Sequence, residues 1–145
     1  MRCWNTVLAV MAVACLLLTL GCTKNVDPGG TWDGHLDGVN ADKHGTSNVE
    51  AVLQDTRHGV DGTVTWHNST GPWGLLEGES LDVRSGKIHG NQVSFQAEKP
   101  LPGGTATANF KGDVEGNTMK GTVDVTIGSV MGGDTYLGNF EVTRK

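Results

Sequence analysis

The stretch TATANFKGDVEGNTMKGTVDVTI, residues 105–127, alternates apolar and polar side chains in two runs that meet at Gly116-Asn117. The residues that share the apolar side are Ala106, Ala108, Phe110, Val114, Met119, Gly121, Val123, Val125 and Ile127. A period of two places alternate side chains on opposite faces of a β-strand, so one face is dry and the other wet. A Gly-Asn pair supplies the positive φ that a tight turn needs. The stretch therefore predicts a β-hairpin with one buried face.

The same pattern recurs outward from this hairpin in both directions, between short clusters of turn residues. The predicted strands are 31–36, 47–55, 60–67, 75–83, 86–89 running through a turn at Gly90-Asn91 into 92–98, 105–114, 118–127 and 135–144. The region from Gly74 to Gly90 fits either one bent strand or two short ones. With 22 Gly and only 19% charged residues, the composition argues against a helical bundle.

Eight short strands joined by short loops have two common solutions, a closed barrel and a two-sheet sandwich. Closure leaves no unpaired strand edge exposed. We therefore predict an all-β domain over residues 31–145, a single eight-stranded antiparallel up-and-down β-barrel, with a β-sandwich as the alternative.

The first 21 residues read as a removable leader. Arg2 precedes an apolar run from Val7 to Leu20, which is shorter than the roughly twenty residues of a transmembrane helix. Leu18-Thr19-Leu20-Gly21-Cys22 resembles the lipobox of bacterial lipoproteins. That resemblance implies a signal peptide over 1–21, cleavage before Cys22 and acylation of Cys22 with lipid chains such as palmitate.

The lipobox also predicts where the protein resides. Cys3 and Cys15 lie in the leader, so Cys22 has no disulfide partner in the mature chain, and acylation accounts for this single thiol. Residues 22–30 are polar and rich in Gly, which indicates a flexible tether. Thr23 stands where an aspartate would resemble an inner-membrane retention signal, so the outer membrane is favoured in an organism that has one.

Gly30-Thr31-Trp32 on the first strand and Arg144 on the last are similar to the signature of the calycin barrels, which include the lipocalins. In those families the tryptophan closes one end of the barrel, and in lipocalins a basic residue of the last strand packs across it. The resemblance implies that Trp32 and Arg144 touch as a barrel-closing pair. A nearer likeness is to small bacterial envelope proteins with a Gly-x-Trp-x-Gly start and a Gly-rich meander.

The residues predicted to face the interior are almost uncharged. They are Trp32, Leu36, Ala51, Leu53, Val60, Val64, Trp66, Leu81, Val83, Ile88, Val93, Phe95, Ala106, Ala108, Phe110, Met119, Val123, Val125, Tyr136, Phe140 and Val142. A small eight-stranded barrel either fills its interior with side chains or holds one small ligand. We favour a packed interior. If a ligand is held, we expect it to be lined by Trp66, Phe95, Phe110, Tyr136 and Phe140. Trp73 is predicted in a loop, as an exposed contact residue, a lid over the mouth or an anchor against the rim.

Residues capable of chemistry are scattered. The net charge of −5 disfavours nucleic acid as a partner. The histidines, at positions 35, 44, 58, 67 and 89, are predicted to face solvent and show no metal-site spacing. Glu77 with Glu79 and Asp33 with Asp37 are close in sequence, but a catalytic pair must converge across a cleft. We predict no metal, no cofactor and no catalytic residue.

The sequence thus predicts a non-catalytic lipoprotein of the bacterial cell envelope, held to the membrane through Cys22. It would bind either a small apolar ligand or an envelope partner. The alternative is an envelope hydrolase that uses carboxylates at the barrel mouth.

Overall fold

A computed structural model describes residues 24–39, 44–129 and 131–145, in which the chain forms eight β-strands and one short 3₁₀ helix. The strands are β1 Gly30–Gly38, β2 Thr46–Thr56, β3 Gly59–His67, β4 Ser80–His89, β5 Gln92–Leu101, β6 Gly104–Glu115, β7 Thr118–Ser129 and β8 Gly132–Arg144. The 3₁₀ helix, Gly71–Leu76, lies between β3 and β4. The predicted leader and Cys22 lie outside the described residues.

Each strand pairs with the next along the chain, and β1 pairs with β8 to close an eight-stranded barrel. The closing register places Trp32 opposite Arg144 and Gly38 opposite Gly138, and every pairing is antiparallel. The predicted up-and-down barrel is confirmed, and the sandwich alternative is wrong. In the closed barrel, the backbone N–H and C=O groups of β1 and β8 pair with one another. In a sandwich these groups would stay unpaired at open edges.

The hairpin that the opening stretch predicts is the β6–β7 pair. Its register runs from Gly104 opposite Ser129 to Glu115 opposite Thr118. Gly116 adopts a φ of 61° in the turn, the conformation that glycine takes without steric cost. The alternation along each strand and the glycine in the turn point to the same hairpin. The predicted strands 105–114 and 118–127 therefore lie close to the observed β6 and β7.

The prediction of strand over residues 75–79 is wrong, and of the two alternatives for the region from Gly74 to Gly90 the structure shows the one bent strand, β4. Residues 75–79 are not strand, because the chain from Gly71 to Leu76 forms a 3₁₀ helix with proline at its start. Residues 86–89 belong to the single strand β4, whose register with β5 shifts between Arg84 and Lys87. Ser85 has a φ of 57° at that irregularity. In a regular strand, Val83 and Ile88 would lie on opposite faces because they are five positions apart. The extra residue at the bulge shifts the alternation by one, so both side chains point toward the core.

The core fills the inside of the barrel. Of the residues predicted to face inward, all are buried except Ile88, which is half-buried against the others. The core cluster also includes Val49, Trp73, Leu76, Ala97 and Val114. Ser47 is the buried polar residue of the described part of the chain.

The two ends of the barrel differ in construction. At one end, here called the base, three hairpins turn through only two residues each, at 57–58, 90–91 and 116–117, and the N-terminal segment 24–29 enters β1. At the other end, here called the loop end, β1 connects to β2 through 39–45 and β3 connects to β4 through 68–79. Long connections carried by a rigid scaffold are where binding residues are most often found.

Candidate functional site

Trp32 and Arg144 close the base. The Arg144 guanidinium carbon lies 4.6 Å from the centroid of the Trp32 ring, so the predicted contact between the two side chains is present. Trp32 is fully buried, and its indole Nε1 donates a hydrogen bond to the backbone oxygen of Pro28 at 2.8 Å. Arg144 Nη2 donates to the backbone oxygen of Asp27 at 2.6 Å. A cation over an indole face contributes about 0.5–2 kcal/mol.

The N-terminal segment is fixed across the base. Val26 N donates to the oxygen of Gly90 at 2.9 Å, and Gly90 N donates to Asn25 Oδ1, also at 2.9 Å. Val26 is half-buried against the core. The flexible tether over 22–30 stays a prediction; within it, Asn25 and Val26 make these hydrogen bonds with the base. The polar composition of this segment indicates a flexible chain. The hydrogen bonds to Gly90 depend on a residue far along the sequence, so the segment's own sequence does not predict them.

Aromatic rings occupy the middle of the barrel. The Phe110 ring stacks on Phe95 with centroids 4.9 Å apart, meets Phe140 edge-on at 5.4 Å and lies 6.0 Å from Trp66. A Cβ added at Gly112 would come 2.8 Å from Phe140 Cζ, so the space that this glycine leaves is filled by a ring. Four of the five predicted ligand-lining residues are thus in contact with one another.

Tyr136, the fifth predicted lining residue, lies instead under the loop end. Its ring centroid is 6.1 Å from that of Trp73, which is 1% exposed. Of the roles predicted for Trp73, the anchor against the rim is the one that the structure shows, and an exposed contact residue is wrong. Leu76 is also fully buried. Three residues make one turn of a 3₁₀ helix, so Trp73 and Leu76 project from the same side of it and together plug the barrel mouth.

The carboxylate of Glu77 holds the loop that precedes this plug. Its two oxygens accept the backbone N–H groups of Asn68 at 3.1 Å and Ser69 at 2.6 Å. These hydrogen bonds, that from Ser69 above all, hold the pKa of Glu77 below its usual value. Asn68 has a φ of 51°, so the carboxylate fixes a backbone conformation that is uncommon for a residue other than glycine.

The other carboxylates named in the sequence analysis each lie beside a different basic side chain. Glu79 pairs with Lys99, Asp33 Oδ2 lies 3.4 Å from Lys145 Nζ, and Asp37 Oδ2 lies 3.7 Å from His35 Nε2. Lys145 also bonds to Glu50 at 2.7 Å, and this hydrogen bond raises the pKa of the lysine. Asp33 and Asp37 are exposed on β1, where they hold partners on the outer wall.

All five histidines are exposed, as predicted. Within residues 24–39, 44–129 and 131–145, no group of three or more His, Cys, Asp or Glu side chains is placed to hold a metal ion. No helix in that same part of the chain is long and apolar enough to cross a membrane.

An apolar groove of about 380 Å³ opens at the loop end, and sequence reasoning missed it. Its side chains include Leu75, Leu101, Pro102 and Ile127, and Glu79 lies at its border. Leu75 is 60% exposed, although its neighbours Trp73 and Leu76 are buried. The sequence signal for this groove was the spacing of Trp73 and Leu76, which are three residues apart. In a 3₁₀ helix that spacing places both on one side, so Leu75 points outward.

The indole Nε1 atoms of Trp66 and Trp73 are buried and have no hydrogen-bond partner in the described part of the chain. An unpaired buried donor costs about 1–3 kcal/mol. Both rings are nevertheless fully packed, and the burial of two large aromatic surfaces outweighs that cost.

No protein family, no curated protein and no solved structure matches the chain. Its class is therefore the one that its fold defines, a closed eight-stranded up-and-down β-barrel whose interior is filled with aromatic and aliphatic side chains.

Proposed function

We propose that this protein is a non-catalytic lipoprotein of the bacterial cell envelope, acylated at Cys22, whose barrel is a binding module for an envelope partner. The outer membrane is the favoured location. The lipobox-like leader supports the anchor, and the packed barrel supports a module that binds on its outside.

The observation that carries this proposal is the contact of Phe110 with Phe95, Phe140 and Trp66. Because these rings fill the centre and Trp73 plugs the mouth, the interior holds side chains where a lipocalin-like carrier would hold its cargo. Among the residues that the structure describes, the exterior of the loop end is a surface with binding character. There the long connections lie, and apolar side chains such as Leu75 are exposed.

Cell fractionation of a Cys22→Ser variant tests the anchor. We expect this variant to move from the membrane fraction to the soluble fraction and to lose incorporation of labelled palmitate. Cys15→Ser is the matched control, because it removes a leader cysteine and should leave both properties unchanged. Continued membrane partition of Cys22→Ser would show that a different feature holds the protein.

The groove at the loop end favours a second candidate, the binding of a small apolar molecule. Its volume of about 380 Å³ falls in the range of small-molecule sites, and Leu101 and Ile127 give it an apolar lining. Titration with a fatty acid, followed by calorimetry, tests this candidate. Leu101→Asp should abolish binding, whereas Val52→Asp, which places the same charge on the outer wall outside the groove, should not.

A further inference from the structure

The N-terminal segment limits how far the barrel can stand from an anchor at Cys22. Asn25 and Val26 are hydrogen-bonded to Gly90 in a turn of the base. Even a fully extended chain covers at most about 3.6 Å per residue, so Cys22 lies within about 11 Å of Asn25. We propose that the base of the barrel is a membrane-contacting face that rests on the lipid headgroups. This inference rests on the lipidation of Cys22 under the proposed function.

The shape of the base fits such a contact. Its three hairpins, Arg57-His58, Gly90-Asn91 and Gly116-Asn117, each turn through only two residues, so no long loop extends from this end. Their tips are polar, and the exposed large apolar side chains Val39, Leu75 and Met131 belong to the connections of the loop end. A face of short polar turns suits the hydrated headgroup layer and does not insert among acyl chains.

Charge is not what brings the base to the membrane. Its exposed charged residues have mixed signs, with Lys24, Arg57 and Lys145 opposed by Asp27, Asp55 and Glu115. A basic patch that would attract anionic lipid is absent from this set. The contact therefore comes from the short covalent connection and should respond weakly to salt and to the charge of the lipid.

A fixed base determines which surface faces away from the membrane. The strands β6 and β7 have 12 residues each. At about 3.3 Å per residue and a tilt of about 40°, they hold the loop end about 30 Å above the headgroups. The plug and the apolar groove then face away from the lipid surface. The short connection at the base keeps them from turning toward the lipid.

The test places one fluorophore at either end of the lipidated protein. His58→Cys labels the base and Met131→Cys labels the loop end, where the native side chain is 97% exposed. Acylation consumes the Cys22 thiol and the leader carries away the other two cysteines, so the new thiol is the only free one. The variants are reconstituted in phosphatidylcholine vesicles that contain a lipid with a nitroxide on its headgroup, a quencher that acts at short range.

We expect strong quenching of the label at position 58 and little at position 131, in neutral and in anionic vesicles alike. A coil of about twelve Gly and Ser residues inserted between Thr23 and Lys24 spans about 19 Å, which frees the barrel to turn and should make the two labels equally quenched. Equal quenching without the insert would overturn the inference while leaving the lipid anchor in place. Failure of the protein to sediment with the vesicles would overturn the proposed function and this inference with it.

Discussion

Replacing Arg144 with alanine tests whether the base is held by the contacts described above. The substitution removes the guanidinium that lies 4.6 Å from the Trp32 ring centroid, an interaction of about 0.5–2 kcal/mol. It also removes the charged hydrogen bond from Arg144 to the Asp27 oxygen. Because Arg144 is half-exposed and water competes for the same groups, this bond contributes about 1 kcal/mol to stability. We expect Arg144→Ala to lower the free energy of unfolding by about 1.5–3 kcal/mol.

Urea unfolding followed by tryptophan fluorescence measures this change, because the buried Trp32 ring reports on the same end of the barrel. Arg84→Ala is the matched control. It removes an exposed arginine from the outer wall and should change stability by no more than about 0.5 kcal/mol. Equal stability of the two variants would refute the reasoning, since it would mean that the guanidinium contributes nothing beyond an ordinary surface charge.

Three further predictions concern the plug, the barrel seam and the loop carboxylate. Trp73→Ala should cost about 3–5 kcal/mol in urea unfolding because it leaves a cavity in the mouth, whereas Leu75→Ala, two positions away and 60% exposed, should cost little. Gly34→Ala should prevent barrel closure, seen as loss of soluble, cooperatively melting protein, because its Cβ would lie 2.0 Å from a carbonyl oxygen of β8; Gly74→Ala meets nothing within 4 Å and should fold normally. The lowered pKa of Glu77 means that its carboxylate stabilises the fold above the usual pKa of 4.5 and that this contribution is lost as the pH falls through the lower folded-state value. Unfolding midpoints of Glu77→Gln should therefore vary less than those of the unmodified chain between about pH 5 and about pH 3, and parallel pH profiles would contradict this assignment.

The buried set was readable from the sequence because it depends on a local property. Along β6 and β7, alternation decides which side chains share a face, and Gly116 marks where the chain reverses. The contact of Trp32 with Arg144 was predicted from a resemblance, and it is present. Neither inference needed knowledge of the residues that lie across the barrel.

The 3₁₀ helix that carries the plug and the hydrogen bonds of the N-terminal segment at the base were not predicted, because both depend on partners distant in sequence. Trp73 is an anchor only because Tyr136 and the barrel mouth receive it. The segment that contains Asn25 reads as polar and free until Gly90 supplies its hydrogen bonds. Apolar content alone does not distinguish a strand at 75–79 from a single 3₁₀ turn followed by a loop.

Patterns among residues close together along the chain were enough to predict that this protein is all-β, which side chains face inward, where several hairpins turn and that a lipobox-like segment precedes the domain. The pairing of β1 with β8, the aromatic rings in the middle of the barrel and the position of the two long connections at one end are visible only in the folded chain. The physical reason is that alternation and turn chemistry act between neighbours along the chain. Closure and packing depend instead on the summed twist of eight strands and on how the volumes of residues such as Phe110 and Phe140 add up inside the barrel.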